Sequence, residues 1–150
     1  MITKAQITQF YKQGPIAIIG VSRQKKKFGY MAYTELRNKG ISVIPVNPQA
    51  TEIDGEKCYN SIGSLPDDVK NAVVITKKTT TLDVVKQLLE KGITNIWIQQ
   101  GSDTREALEY ARQQNANLIH GKCIIMFSEP LAGFHKFHRS LVKLFGGMPK

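Results

Sequence analysis

The sequence predicts an α/β fold of three α/β/α layers around a mostly parallel sheet of five to six strands. Two observations point to this class. Short apolar runs, which suit strands buried on both faces of a sheet, recur along the chain. Segments with helical patterning follow most of these runs at spacings typical of βαβ units. This alternation favours a parallel, doubly wound sheet of the Rossmann-like type.

The chain begins with a capped helix and a buried strand. Thr3 and Gln6 form the pattern of a capping box, which predicts a short helix that ends near Gln13. The apolar run at 16–20 predicts the first strand of the sheet. The pattern at 28–39 then predicts a second helix, so the first strand–helix unit is complete within the first 40 residues.

The same cycle continues after this unit, interrupted by an irregular region at 47–70 that Pro and Gly punctuate. Further strands are predicted at 41–46, 72–75, 95–98 and 117–119, with a sixth extended piece at 123–126. Further helices are predicted from Thr80 or Thr81 to Lys91, from Asp103 to about Asn115 with Ser102 as its cap, and, rich in basic residues, at 133–145.

Length and composition indicate one cytoplasmic domain. The 150 residues suit a single domain with its core at 14–128. Two cysteines exclude a disulfide-rich secreted scaffold, and 41% hydrophobic residues exclude a disordered chain. The apolar runs are far shorter than the roughly 20 residues of a membrane span, and the N-terminus lacks the apolar core of a signal peptide. We therefore expect a cytoplasmic location and no membrane partner.

The net charge of +9 is the most unusual feature of the composition. Residues 1–51 carry eight Lys and Arg against one acid, whereas residues 52–150 carry thirteen against eleven. This local excess predicts an anionic partner such as a phosphorylated ligand, a nucleic acid or a membrane surface. Because Arg23 and the lysines at 25–27 share one loop, a compact phosphorylated ligand is favoured over nucleic acid.

The fold class itself selects the loops that would hold such a ligand. In an open α/β sheet, ligands bind beyond the carboxyl ends of the strands. The first such loop, at 20–27, is the most informative: Gly20 allows a ligand to approach the backbone, and the following helix offers free N–H groups to a phosphate. The other loops selected by this rule are 47–50, 76–79, 99–102 and 120–126.

Familiar nucleotide-binding motifs are absent from these loops. Gly20 is followed by Val-Ser-Arg, so the first strand does not lead into a G-x-G-x-x-G motif. The second strand leads into Asn47 and Pro48 without the acid that would hold a ribose hydroxyl. Both observations disfavour NAD. The P-loop pattern is also absent, which disfavours ATP hydrolysis by that route.

Five short segments lie near the carboxyl ends of the predicted strands: Gly20-Val21-Ser22, Lys27-Phe28-Gly29-Tyr30, Val43-Ile44-Pro45-Val46-Asn47-Pro48, Ile96-Trp97-Ile98-Gln99-Gln100-Gly101 and Gly121-Lys122-Cys123-Ile124. Taken in order, they resemble the CoA-binding domain family. The resemblance covers residues 14–128. Standalone members of this family are similar to the N-terminal domain of the succinyl-CoA synthetase alpha subunit. The resemblance therefore implies a Rossmann-like domain that binds coenzyme A (CoA) or an acyl-CoA.

The resemblance also implies roles for matching positions. The loop Gly20-Val21-Ser22 would wrap the CoA phosphates, and Lys27 would pair with one of them. Asn47-Pro48 would border the adenosine, while Gln99 and Gly101 would close the pocket. The complete set of implied cofactor-binding residues is Gly20, Val21, Ser22, Lys26, Lys27, Tyr30, Asn47, Pro48, Ile75, Thr76, Lys77, Gln99, Gly101 and Cys123.

Three departures from the family pattern qualify this expectation. Gly29 stands where the family commonly has Ser, and the segment 75–77 lacks the Pro of the synthetase subunit. None of the histidines His120, His135 and His138 matches the phosphorylated histidine of the synthetase, which also needs a second domain and a partner subunit. We therefore expect a binding module without ligase chemistry, and a homodimer is compatible with the sequence.

Two alternative functions stay open at this stage. Cys123 lies in the last ligand loop, where its thiol could react with CoA or accept an acyl group, although a small buried core residue is the simpler interpretation. The basic and aromatic segment 133–139 could contact nucleic acid, although a helix that packs its two Phe against the sheet is the favoured interpretation. Trp97 is interpreted as a core residue, and the spacing of histidines and cysteines does not indicate a metal site.

Overall fold

The computed structural model describes residues 1–128, and the predicted basic helix at 133–145 lies outside the described residues. The elements follow in the order α1 (Lys4–Lys12), β1 (Ile16–Ile19), α2 (Phe28–Asn38), β2 (Val43–Val46), β3 (Glu52–Ile53), β4 (Glu56–Lys57), β5 (Asn71–Val74), α3 (Lys78–Glu90), β6 (Asn95–Gln99), α4 (Arg105–Gln113) and β7 (Asn117–Lys122). The predicted capping box of α1 is confirmed, because both of its reciprocal hydrogen bonds are present.

Five strands form one parallel sheet in the order β2-β1-β5-β6-β7. Every residue of the interior strands β1 and β5 is buried. The Rossmann-like α/β fold predicted from the alternation of strands and helices is therefore confirmed. Because all five strands are parallel, their carboxyl ends and the loops that follow them lie along one edge of the sheet.

The two faces of the sheet carry separate buried apolar clusters. Ile16 and Ile18 belong to the cluster that includes residues of α1 and α2, whereas Ala17 and Ile19 belong to the cluster that includes residues of α3 and α4. Successive side chains of a strand point to opposite faces, so a continuous apolar run supplies both clusters. Trp97 is fully buried in the first cluster, as its position between two isoleucines predicted.

The prediction that Ser102 caps the fourth helix is wrong. Helix α4 begins at Arg105, and the Thr104 side chain acts as its N-cap by accepting a hydrogen bond from the N–H of Ala107. Ser102 is buried, and its hydroxyl oxygen accepts a hydrogen bond from the N–H of Thr76 at 3.2 Å. Thr is favoured at N-cap positions as Ser is, and the tertiary contact of Ser102 leaves this role to Thr104.

Two further differences concern short segments. The extended piece predicted at 123–126 is a turn, in which the N–H of Met126 donates to the carbonyl of Cys123 at 3.2 Å, and β7 itself continues to Lys122. The region predicted as irregular at 47–70 contains the antiparallel β3–β4 hairpin, which turns at Asp54 and Gly55 with positive φ at both. Strands of two residues are too short to show a periodic pattern.

An asparagine ladder crosses the amino ends of three neighbouring strands. Asn71, Asn95 and Asn117 are register partners in β5, β6 and β7. The Asn117 amide donates to Asn95 Oδ1 at 3.1 Å, the Asn95 amide donates to Asn71 Oδ1 at 2.8 Å, and the Asn71 amide donates to the Phe10 carbonyl at 2.9 Å. Asn71 is fully buried, so the ladder both satisfies its polar atoms and joins α1 to the sheet.

Replacing the buried end of this ladder should destabilise the fold more than replacing its exposed end. We expect Asn71→Ala to lower the free energy of unfolding by about 1–3 kcal/mol, because the Asn95 amide and the Phe10 carbonyl lose their partner. Asn117→Ala should cost less than about 1 kcal/mol because Asn117 is exposed. Urea unfolding followed by circular dichroism measures both, and equal losses would contradict this role for the ladder.

Candidate functional site

A close backbone contact lies at the middle of the carboxyl edge, which is the edge of the sheet where the carboxyl ends of the five strands lie. Gly20 follows β1 with a φ of +100°, and a Cβ atom here would lie 1.9 Å from the carbonyl oxygen of Ile75, which follows β5. A Cβ atom on Gly29 would lie 2.2 Å from the carbonyl oxygen of Gly20. Only glycine fits at either position. Gly29 thus allows the first turn of α2 to lie directly against the end of β1.

A cleft of about 400 Å³ lies between the loop after β1 and the loop after β2. One side chain joins its two walls: Asn47 Nδ2 donates to the Val21 carbonyl at 2.7 Å, and Asn47 Oδ1 accepts from the Gln49 N–H at 2.8 Å. None of the lining side chains is acidic, and every one carries a hydrogen-bond donor, which suits an anionic ligand. The cleft is lined by Ser22, Arg23, Gln24, Asn47 and Gln49.

The loop after β1, which supplies one wall of this cleft, is basic. Arg23, Lys26 and Lys27 are all exposed. Lys27 is the N-cap residue of α2 and makes no side-chain capping bond, and the first turn of the helix carries no acid. The unpaired N–H groups at the start of the helix and the nearby ammonium groups both favour negative charge at this point. The loop can therefore bind a phosphate group through charge-assisted hydrogen bonds.

Buried hydroxyl groups join the loops after β5 and β6. The Thr81 hydroxyl donates to the Ser102 carbonyl at 2.7 Å and lies 2.9 Å from the Thr76 hydroxyl. Thr81 and Ser102 are buried, whereas Thr76 is half-buried at the surface of the edge. Lys77 is exposed and is the N-cap residue of α3. Thr81 was not predicted to be part of this arrangement, because its position in α3 gave no sign of the partner in the next loop.

The predicted binding residues at the ends of β6 and β7 do not line the cleft. Gln99 is buried, and its Oε1 accepts a hydrogen bond from the Ile124 N–H at 2.9 Å. Cys123 is 8% exposed and belongs to the apolar cluster on the α1–α2 face. Gly101 has a φ of +92° and donates its N–H to Asp103 at 3.2 Å. These residues shape the β6–β7 end of the edge.

Tyr30, another predicted site residue, contacts the β3–β4 hairpin. Its hydroxyl donates to Asp54 Oδ2 at 2.6 Å, and this hydrogen bond, with a smaller effect of burial, raises the pKa of Tyr30. Farther along the edge, burial and the nearby Arg112 guanidinium lower the pKa of His120. Burial raises the pKa of the Cys58 thiol. All three shifts favour the neutral form of the group.

The structure brings only part of the predicted set together. Ser22 and Asn47 line the cleft, and Val21, Gly20 and Pro48 are their chain neighbours. The prediction did not include Arg23, Gln24 and Gln49 among the binding residues, although all three belong to loops that the fold rule selected. Loop membership can be predicted from strand ends, whereas the direction of a loop side chain depends on the tertiary hydrogen bonds around it.

Within residues 1–128, a metal-binding cluster and a membrane-spanning helix are both absent. No group of three His, Cys, Asp or Glu side chains in this part of the chain could hold a metal ion. No helix there is both long and apolar enough to cross a membrane.

The parallel sheet, the close approach at Gly20 and the donor-lined cleft define a Rossmann-like α/β protein with a polar cleft at the carboxyl ends of its strands. Residues 15–129 match the profile of the CoA binding domain family. The chain therefore belongs to the CoA-binding domain family, as its resemblance indicated, and this membership supports CoA binding.

Solved structures of similar proteins share the fold over almost their whole length. A conserved hypothetical protein from Pyrococcus furiosus is 34% identical with a TM-score of 0.71, over 73% of this chain and 95% of that protein. A hypothetical protein from Pyrococcus horikoshii is 31% identical with a TM-score of 0.76, over 88% of this chain and 94% of that protein.

The sequence relatives include parts of larger enzymes. The alpha subunit of an ADP-forming acetate–CoA ligase II from Pyrococcus furiosus is 28% identical over 77% of this chain, and an ADP-forming acetate–CoA ligase from Methanocaldococcus jannaschii is 33% identical over 73% of it. The matches span only 28% and 17% of those two proteins. The uncharacterized protein YneT of Bacillus subtilis is 25% identical, over 81% of this chain and 91% of YneT.

Substitution of Gly20 should lower the stability of the fold by more than the strain of its positive φ alone would cause. We expect Gly20→Ala to lower the free energy of unfolding by more than about 3 kcal/mol, because the new Cβ adds an overlap with Ile75 to the backbone strain. Gly14→Ala is the matched control: Gly14 has a φ of +89°, and a Cβ atom there would have no neighbouring atom within 4 Å. It should cost about 1–2 kcal/mol. Similar losses in thermal or urea unfolding would contradict the close contact.

Proposed function

We propose that this chain binds CoA or an acyl-CoA along the carboxyl edge of the sheet, with the phosphate groups in the cleft between the loops after β1 and β2. The observation that carries the proposal is the set of five lining residues, which combines the Arg23 guanidinium with neutral donors and contains no carboxylate. Membership of the CoA-binding domain family supports the same ligand.

The linear order of the strands supports an extended ligand. From the cleft beside β1 and β2, the edge continues to Ile75 and Thr76 after β5 and then to Gln99 and Gly101 at β6. Neighbouring strands lie about 4.8 Å apart, so these loops form a row beside the cleft. A molecule with a phosphorylated nucleotide at one end and a long arm at the other fits a row of loops that begins at the Arg23 cleft and continues past Thr76 and the exposed Lys77. We propose that the pantetheine arm follows this row towards Cys123.

We further propose that the protein acts as a binding module and that Cys123 and His120 do not perform covalent chemistry. Cys123 is 8% exposed within an apolar cluster, so its thiol is poorly placed to attack a ligand. His120 lies within β7, its Nε2 is 3.2 Å from Arg112 Nη2, and its lowered pKa favours the neutral ring. These contacts are consistent with structural roles for both residues.

Titration calorimetry tests the ligand directly. We expect a saturable heat with CoA, weaker binding of dephospho-CoA because one phosphate contact is lost, and no measurable binding of NAD because the edge lacks an acid for its ribose. Binding should weaken as ionic strength rises, since the interaction involves exposed charges. A clear heat with NAD and none with CoA would overturn the proposed function.

A charge-matched pair of variants tests the location of the phosphates. We expect Arg23→Ala to weaken CoA binding about tenfold or more, because a charge-assisted hydrogen bond is lost. Lys4→Ala removes an exposed charge of the same sign from α1 and should change the affinity less than about twofold. Equal effects of the two variants in calorimetry would indicate general charge attraction and would remove the cleft from the binding site.

A further inference from the structure

We infer that Asn47 is a positioning residue, which holds the two walls of the cleft at the spacing that CoA needs and does not itself contact the ligand. This inference rests on the proposed function and deepens it. In the resemblance to the CoA-binding family, Asn47 borders the adenosine, which would make it a ligand contact. The hydrogen bonds in the structure assign it a different task.

The side-chain amide of Asn47 is occupied on both sides by the protein. Its Nδ2 donates to the carbonyl of Val21 in the first wall at 2.7 Å. Its Oδ1 accepts from the N–H of Gln49 in the second wall at 2.8 Å. One planar group thus joins both walls.

The main chain of Asn47 is held as firmly as its side chain. Its N–H donates to the carbonyl of Tyr59 at 2.9 Å, and its carbonyl accepts from the N–H of Ala50 at 3.3 Å. Val21, at the other end of the bridge, is 1% exposed and donates its N–H to the carbonyl of Val46 at 3.3 Å. The bridge therefore continues the backbone pairing of β1 and β2 by one step beyond Val46, and it holds the point from which each wall of the cleft begins.

The residues that follow each fixed point are the ones that line the cleft. Ser22, Arg23 and Gln24 come directly after Val21, and the Gln24 N–H donates to the Ser22 hydroxyl at 3.0 Å. Gln49 receives its orientation from the bond to Asn47 Oδ1. With the bridge intact, the main chain of both walls is held before the ligand arrives, which reduces the backbone entropy lost on binding.

This role also explains the residue type at the end of β2. Dinucleotide-binding folds place an acid here to accept hydrogen bonds from a ribose. A carboxylate could still accept from the Gln49 N–H, but it has no donor for the Val21 carbonyl. A carboxamide is the side chain of this length that can serve both partners. The absence of the acid is therefore a requirement of the bridge as well as a feature that disfavours NAD.

Amide hydrogen exchange on the ligand-free protein tests the bridge without reference to CoA. We expect Asn47→Ala to accelerate exchange at least about fivefold at residues 22–24 and at Gln49, with the amides of β5 and β6 unchanged. Asn60→Ala, which alters an exposed asparagine outside the cleft, is the matched control and should leave all of these rates unchanged. Unchanged loop exchange in Asn47→Ala would overturn the inference.

The conservative variant separates the two halves of the bridge. We expect Asn47→Asp to keep the Gln49 amide protected, because an acceptor remains, and to accelerate exchange at residues 22–24, because the donor is lost. This variant also serves if Asn47→Ala does not fold. Full protection of both walls in Asn47→Asp would show that the bond to Val21 is not needed and would overturn the inference.

A double-mutant cycle distinguishes positioning from direct contact. If Asn47 acts by placing Arg23 and its neighbours, Asn47→Ala should weaken CoA binding about tenfold in the natural protein and less than about threefold in the Arg23→Ala background. Equal effects in the two backgrounds would indicate an independent contact with CoA and would overturn the inference. If the natural protein does not bind CoA at all, the proposed function fails, whereas the exchange experiment still decides the role of Asn47.

Discussion

The approach of Gly20 to Ile75 is the constraint on which the rest of the site depends. A Cβ atom at Gly20 would lie 1.9 Å from the Ile75 carbonyl oxygen, so the ends of β1 and β5 meet backbone to backbone. Gly29 allows α2 to begin equally close to Gly20, where its Cβ would lie 2.2 Å from the carbonyl oxygen. Because no side chain separates these elements, the loop after β1 must turn over the edge, and the first N–H groups of α2 lie beside it.

Polar side chains then link the other three neighbouring pairs of strand ends along this edge. Asn47 joins the loops after β1 and β2, Thr81 and Ser102 join those after β5 and β6, and Gln99 holds the chain that follows β7. Each of these hydrogen bonds takes the place of a hydrogen bond to water. The buried or half-buried polar atom therefore keeps a partner in the folded state, and its burial costs little free energy. Their combined effect is an edge whose loops are ordered before a ligand binds, which favours tight binding by a small surface.

The location of the charge follows from the same architecture. Of the basic residues behind the net charge of +9, Arg23 lines the cleft, and Lys27 is the N-cap residue of α2, three positions after the cleft residue Gln24. The acids of the β3–β4 hairpin are directed to the flank of α2, where Asp54 accepts from Tyr30 at 2.6 Å and Glu56 pairs with Arg37 at 3.3 Å. The first turn of α2 carries no acid, and negative charge is therefore favoured at the cleft.

The sequence by itself determined the α/β class, the order of the main elements and the loops at the ligand edge. Burial on both faces demands continuous apolar runs, and a strand end followed by glycine or polar residues is visible in one dimension. The tertiary structure alone decided what individual side chains do. The sequence pointed to Ser102 as the cap of α4, but Ser102 accepts from the Thr76 N–H and Thr104 caps the helix. Gln24 and Gln49 had no sign of a shared role in the sequence, and only the folded chain brings their loops to one cleft. The physical reason is that the order of apolar and polar residues reflects burial and local backbone geometry. The hydrogen-bond partner of a side chain, in contrast, often belongs to a residue far away in the chain.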